Sequence, residues 1–390
     1  MSSNGHTPDK LKILICLLYY FPHRTGLTIH VQRVAEELVR RGHQVTVLTA
    51  RYSSDLPRDD STMHKGVRIV RLWAPIHLSR GMIMPAYPVA LYRLMREHDI
   101  VSVHTPAPET AIIAAISKIT GKNVVVTHHG DLILPAGLTN RIIQSGMYAM
   151  YTLLARRAKH ILGYSRDYAD HSYYLQPFID KVSVVYPPIQ MPPPEPQRVE
   201  QLRAAWSKDG APIIGYAHRF VEEKRPDLAI RALEVVNRKY PKARLVFAGE
   251  NKIPYENTWE RNQPLISQFR DQLIFLGLLQ EPQDMANFYA ACDVIVLSSD
   301  SECFALAQVE AMLCGTPVVM TDIPGGRVPV RETGMGRLAR QGDWQSIGEA
   351  LVEVIDHREA YCKPRAMIEQ IFSFQETVDR YESQFRAYAR

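Results

Sequence analysis

No stretch of this 390-residue chain runs for the roughly 18 apolar residues that a membrane-spanning helix needs. The most apolar opening segment, Leu11 to Phe21, is shorter than that and contains Lys12. The residues ahead of it, Met1 to Lys10, are polar and do not have the layout of a secretory signal, so the expected compartment is the cytoplasm. Cysteine is scarce. The five residues Cys16, Cys292, Cys303, Cys314 and Cys362 show no C-x-x-C spacing, which excludes a disulfide scaffold or zinc ribbon and fits a reducing compartment. Charge imbalance is small too: 46 basic against 41 acidic side chains leave +5, too little over this length for a nucleic-acid footprint. A G-x-G-x-x-G fingerprint is missing from the first turn and from the start of the second half, which argues against a dinucleotide-dependent oxidoreductase.

The length suffices for two or three domains at roughly 150 residues each. Short β-branched runs alternate with helical patterns, the signature of a parallel α/β sheet. Strands are expected at Leu11–Leu18, Gln44–Thr49, Val67–Arg71, Ile100–His104, Asn123–Thr127, His160–Tyr164 and Val182–Val185. Between some of them lie helical patterns such as Glu109–Ile119 and Arg141–Arg157, and Val31, Val34, Ala35 and Leu38 mark the helix after the first strand. Six prolines between Tyr186 and Pro196 then interrupt the pattern and read as an interdomain linker. A second series follows at Pro212–Ala217, Arg244–Ala248, Gln272–Leu276, Asp293–Leu297 and Pro317–Thr321, and the tail from Pro364 to Arg390 is helical throughout. The expected organisation is a doubly wound domain over 1–186, a Pro-rich linker over 187–207, a second doubly wound domain over 208–363 and a C-terminal helix over 364–390.

Chemistry in such folds gathers at strand ends. After Asp293–Leu297 comes Ser298-Ser299-Asp300-Ser301-Glu302-Cys303-Phe304-Ala305-Leu306-Ala307-Gln308-Val309-Glu310. Glu302 falls in the loop and Glu310 inside a helix starting near Ala305, whose first N–H groups would face an anion. A solvated helix with two ordinary glutamates has the same spacing. After PIIGYA, Arg219 and Lys224 place two cations at a strand end, where they suit a diphosphate or simply form a solvated basic loop with Glu222, Glu223 and Arg225. Gly26, in the turn before the first helix, either lets backbone amides approach a ligand or makes a plain turn. After NVVVT stand His128 and His129; a histidine there can bond a sugar hydroxyl or cap the core, and no third metal ligand is evident nearby. Gly249, Leu276, Gly325 and Gly326 lie in or beside further strand-end turns.

The run S-x-x-E-x-F-x-L-x-x-x-E-A-M-x-x-G-x-P-V-V resembles the E-x7-E signature of retaining GT-B glycosyltransferases of family 4, and the resemblance covers nearly the whole chain. It implies two Rossmann-like domains facing a cleft, with a C-terminal helix crossing back to the first. It also implies sugar transfer from a UDP- or GDP-linked donor to a glycan or lipid-linked acceptor in polysaccharide or envelope synthesis, with no cofactor and no metal. By the same resemblance Arg219 and Lys224 bind the diphosphate, Glu310 the ribose, Glu302 the donor sugar, and His129 rather than His128 the reacting region. Gly26, Gly249, Leu276, Phe304, Ala305 and Leu306 would line the nucleotide-sugar site. Four positions depart from the family pattern: His218, Cys303 and Ala305 stand where glycine is usual, and Thr25 replaces one of two glycines in the first turn.

Residues 140–165 carry Arg141, Arg156, Arg157 and Lys159 among apolar side chains and no acid, a pattern suited to the inner face of a membrane as well as to a half-buried helix. Met82, Met84 and Tyr87 would add to that surface. A GT-B sugar-nucleotide epimerase or phosphorylase is the alternative, distinguished by its product, and an NAD-dependent oxidoreductase is a more distant one.

Overall fold

The β-branched runs have no polar face to turn to water, and they are covered on both sides by helices in a computed structural model that describes residues 10–57, 62–78, 81–132, 137–207, 209–253 and 256–390. The polar segment 1–9 lies outside the described residues. The chain divides into two units: one is formed by residues up to Pro188 together with Gln375–Arg390, the other by Ile189–Phe374.

In the first unit the strands are β1 (Lys12–Cys16), β2 (Gln44–Arg51), β3 (Thr62–His64), β4 (Val67–Trp73), a small hairpin of β5 (Ile76–Leu78) and β6 (Gly81–Ile83), β7 (Ile100–Thr105), β8 (Val124–His128), β9 (His160–Gly163) and β10 (Val182–Val184). Eight of them form one sheet in the order β10-β9-β8-β7-β1-β2-β4-β3, parallel except where β3 meets β4. The order reverses beside β1, so the loops after β1 and β7 flank the switch point where ligands bind in such sheets. Helix Phe374–Tyr388 closes this unit, burying Val378, Tyr381 and Phe385. It is fixed at its ends by Thr377 Oγ1 donating to Tyr186 O (2.9 Å) and Asn123 Nδ2 donating to Tyr388 O (2.9 Å).

The second unit holds β11 (Ile213–Tyr216), β12 (Arg244–Ala248), β13 (Leu273–Gly277), β14 (Val294–Leu297), β15 (Val318–Thr321) and β16 (Gly336–Ala339), in the order β13-β12-β11-β14-β15-β16. All pairs are parallel. Its switch point lies between β11 and β14. On one face Tyr216, Phe247, Val294, Val296 and Val319 pack with Leu228, Leu233, Ile347 and Leu351 from helices Pro226–Val236 and Trp344–Asp356.

Several expectations are corrected. The segment 187–207 is not linker throughout: Pro196 opens a helix, Pro196–Trp206, as proline does well at a first helical position. The tail is two helices, Arg365–Ile371 and Phe374–Tyr388, and only its part from Gln375 belongs to the first unit. Phe372, between them, packs edge-on against Phe304, which holds the preceding stretch to the second unit. Met82, Met84 and Tyr87 are buried and offer no surface.

Candidate functional site

In the second unit, the loops following β11 and β14 are stitched together at the switch point. Ser298 Oγ reaches the main-chain oxygens of Arg225 (2.7 Å) and Lys224 (3.1 Å), Tyr216 Oη donates to Lys224 O (2.8 Å), and the Asp300 amide donates to Glu223 O (2.9 Å). Arg225 ties the same loops by an ion pair with Asp300 (3.2 Å). This frame brings two of the expected residues into contact: Lys224 Nζ lies 2.7 Å from Glu302 Oε1, both side chains nearly enclosed at 14% and 10% exposure. Ser299 Oγ donates to the same oxygen at 2.8 Å. Burial works against the Glu302 carboxylate, but the Lys224 ammonium outweighs it and holds the acid below its ordinary range. Burial likewise opposes the ammonium, and Glu302 with Glu223 outweighs it in turn.

Arg219 stands in the same loop as Lys224, half-buried. Glu310 lies inside helix Leu306–Leu313, as its position after Ala305 suggested, and accepts a hydrogen bond from Tyr289 Oη (3.1 Å). Phe304 is entirely enclosed, its ring edge-on to Phe372, so any part it has in the lining is left to its backbone. Leu276, near the end of β13, and Leu306, opening the helix, are half-buried. Ala305 takes φ +54°, a left-handed conformation that strains any side chain and explains why glycine is common there in the family pattern.

Two glycines are demanded by close approach. A Cβ on Gly249 would lie 2.1 Å from His218 O, and one on Gly325 2.5 Å from Cys303 O, so each lets a neighbouring turn press the loops of Arg219 or Glu302 into place. Gly325 also bridges to Glu302 through the backbone.

In the first unit, Gly26 is the exposed first residue of helix Gly26–Arg40, and it makes an ordinary helix start: Thr25 caps the helix through a reciprocal pair with Thr28. His129, half-buried after β8, belongs to a row of polar side chains. Its Nε2 pairs with His104 Nδ1 (2.7 Å) and its Nδ1 with Tyr164 Oη; Tyr164 Oη also meets His30 Nδ1 (3.0 Å), and His30 Nε2 meets Tyr381 Oη (2.8 Å). Ser102 Oγ (3.3 Å from His104 Nε2) and Thr127 Oγ1 (3.1 Å from Tyr381 Oη) stand at the ends. Burial lowers all three imidazoles, His104 to about 3, so the row is neutral. His128 is a core residue, held by Thr105 (3.0 Å) and Asp131 (3.0 Å). Both ring nitrogens of His129 are thus engaged within the protein, and a ligand reaching one of them would exchange with Tyr164 or His104.

Ser299 opens the S-x-x-E motif but was given no role in the sequence, and Tyr289, Tyr164 and Tyr381 were not among the candidates. Ser299 sits three residues from Glu302 and could have been found as its short-range partner. The tyrosines carried no signal, since their partners are far along the chain. Among the described residues no group of three or more His, Cys, Asp or Glu is placed to hold a metal ion.

Two doubly wound parallel sheets in one chain, the second unit inserted within the first, constitute a two-Rossmann-domain architecture. Comparison with known proteins makes this specific. The family described as "Glycosyl transferases group 1" matches residues 198–371, and "Glycosyltransferase Family 4" matches residues 24–191. A D-inositol 3-phosphate glycosyltransferase of Rhodococcus erythropolis is 30% identical over 218 residues, 53% of this chain and 48% of that one. A GDP-mannose-dependent alpha-(1-6)-phosphatidylinositol monomannoside mannosyltransferase of Mycolicibacterium smegmatis is 23% identical over 349 residues, 86% of each chain. In fold, HepE of Anabaena, solved with UDP and glucose, superposes with a TM-score of 0.76 at 17% identity over 96% of this chain and 99% of that one. The chain belongs to the GT-B glycosyltransferases of family 4.

Proposed function

We propose that the protein is a retaining, metal-independent transferase that moves a sugar from a UDP- or GDP-linked donor to a glycan or lipid-linked acceptor. The observation that carries the reading is the Lys224–Glu302 pair with Arg219 at the β11/β14 switch point, followed by Glu310 eight residues on. In this reading the bond between the anomeric carbon and the diphosphate breaks, and the acceptor hydroxyl attacks from the same face. Negative charge grows on the leaving diphosphate, and Arg219, Lys224 and the amides at the start of helix Leu306–Leu313 meet it, so no divalent ion is required. Glu310 holds the ribose, Glu302 the donor sugar, and Gly249, Leu276, Ala305 and Leu306 the remaining wall. His129, kept neutral, serves the reacting region together with the amides near Gly26. The relatives support this choice: one is named for GDP-mannose, and HepE was solved with UDP and glucose.

The test is a thermal shift with UDP, GDP, dTDP, ADP and NAD at millimolar concentration. A ligand at about a hundred times its dissociation constant adds roughly 2.7 kcal/mol, a rise of about 2 to 4 °C in a chain of this size. One nucleoside diphosphate should raise the melting temperature of the wild type and not of Glu310→Ala. A response to NAD alone would overturn the reading.

For the lipid-linked acceptor, one surface favours contact with an anionic membrane. Helix Leu138–Arg157 exposes Leu138 (77%), Ile142 (65%) and Leu153 (52%) beside Arg141 and Arg156, and Tyr173 (75%) lies nearby. Arg157 and Leu154 do not share in it: Arg157 donates to the main-chain oxygens of Ser117 and Lys122, and Leu154 is core. The protein should sediment with vesicles containing phosphatidylglycerol and not with phosphatidylcholine alone. Ile142→Asp with Leu153→Asp should release it; unchanged sedimentation would remove this surface from the account.

A further inference from the structure

Among the departures from the family's glycines, His218 brings an imidazole beside Glu302. Its carbonyl is pinned against Gly249, which fixes the base of the side chain. The ring lies edge-on to Tyr216, with centroids 5.9 Å apart. Its Nε2 is buried, has no hydrogen-bond partner, and lies 3.6 Å from Glu302 Oε1. A buried polar atom without a partner is costly, and this one faces a carboxylate across a gap only slightly too long for a bond.

The reason for that gap lies in Lys224. An ammonium has three hydrogens, and the protein already offers it three acceptors: Glu302 Oε1 at 2.7 Å, Ser301 O at 3.3 Å and Glu223 Oε1 at 3.4 Å. A diphosphate competes for the same cation with a larger charge, and what it gains Glu302 loses. The carboxylate is then left nearly enclosed with Ser299 as its remaining partner.

We propose that His218 is a positioning residue for Glu302: as a diphosphate draws Lys224 away, the imidazole closes on the carboxylate and its Nε2–H replaces the ammonium. No proton is taken up, because burial holds the imidazole at about 4 and the neutral Nε2–H tautomer suffices. Glycine at this position has no group to do this, so the exchange is a property of this chain. The inference rests on the reading that Lys224 meets the donor diphosphate.

Calorimetric titration with UDP, GDP, UDP-glucose and GDP-mannose tests it. His218→Leu should weaken binding of the responding nucleoside diphosphate about tenfold, the loss expected for one hydrogen bond to a charged group. The melting temperature of the ligand-free variant should be unchanged or raised, since an unpartnered polar atom has been replaced by an apolar one. His218→Gln, whose amide can donate from a similar place, should bind within about threefold of wild type. The nucleotide sugar should be affected less than the bare diphosphate, because its hydroxyls also reach Glu302. A packing role would make leucine at least as good as glutamine, and that result overturns the proposal, as does wild-type affinity in His218→Leu. Lys224→Ala and Glu310→Ala in the same titration separate the two levels. If both bind like wild type, or if no ligand binds the wild type, the donor reading itself fails. If both lose binding while His218→Leu does not, only the role of His218 falls.

Discussion

Lys224→Ala is expected to destabilise the protein by about 3 to 5 kcal/mol at neutral pH, because it leaves the Glu302 carboxylate nearly enclosed without its cation. Replacing Glu302 with glutamine in the same chain should recover most of that loss. Sugar transfer should behave differently. Removing one electrostatic contact from a developing anion lowers turnover about a hundred- to a thousandfold, and the double variant should stay that slow. Urea unfolding and initial rates on the four proteins form a cycle that separates the two roles. The pH dependence follows from the shifts. Glu302 is held below its ordinary 4.5, so its share of stability is present above that value and is lost as pH falls through the folded value. Lys224 is held above its ordinary 10.5, so its share is present below that value and is lost as pH rises past the folded one. The pair therefore supports the fold between these limits, and Lys224→Ala should remove the low-pH branch attributable to Glu302.

Tyr164→Phe should cost about 2 to 5 kcal/mol, since one hydroxyl partners His30 Nδ1 and His129 Nδ1 and its loss strands both. The row also makes the first unit acid-sensitive. Burial depresses His30, His104 and His129 below the ordinary 6.5, so the unfolded chain binds protons that the folded one refuses. Stability should fall as pH drops below 6.5, by roughly 1.4 kcal/mol per pH unit for each histidine. Tyr164→Phe, starting from a smaller margin, should unfold at a higher pH than wild type in an acid titration followed by circular dichroism. Equal midpoints would show that the row does not hold the unit together.

What the sequence disclosed was what is local in the chain. The alternation of β-branched runs with helical patterns has the same period wherever it occurs, so both sheets were legible, as were Arg219, Lys224 and Glu302 in the loops after a strand and Glu310 in the helix that follows. The contact between Lys224 and Glu302 was not, because it depends on β11 and β14 lying side by side, and strand order is not written in spacing. The His30–Tyr381 bond joins residues 351 positions apart, beyond any periodic signal. Strand β16 has only four residues and one of them is Arg337, which hides it among turns. The prolines misled in one direction: they were read as a linker through 207, although Pro196 opens a helix.

The insertion of one unit within the other bears on how the chain is made. Residues 189–374 are continuous and can collapse as soon as they are synthesised, whereas the first unit needs Val378, Tyr381 and Phe385 from its final stretch. At about 5 to 20 residues per second, the ribosome holds an incomplete amino-terminal half for much of the time it takes to produce the rest. The first unit is thus completed only after the second has been made, and until Gln375–Arg390 follow, the seat of Val378, Tyr381 and Phe385 is an apolar surface open to chaperones.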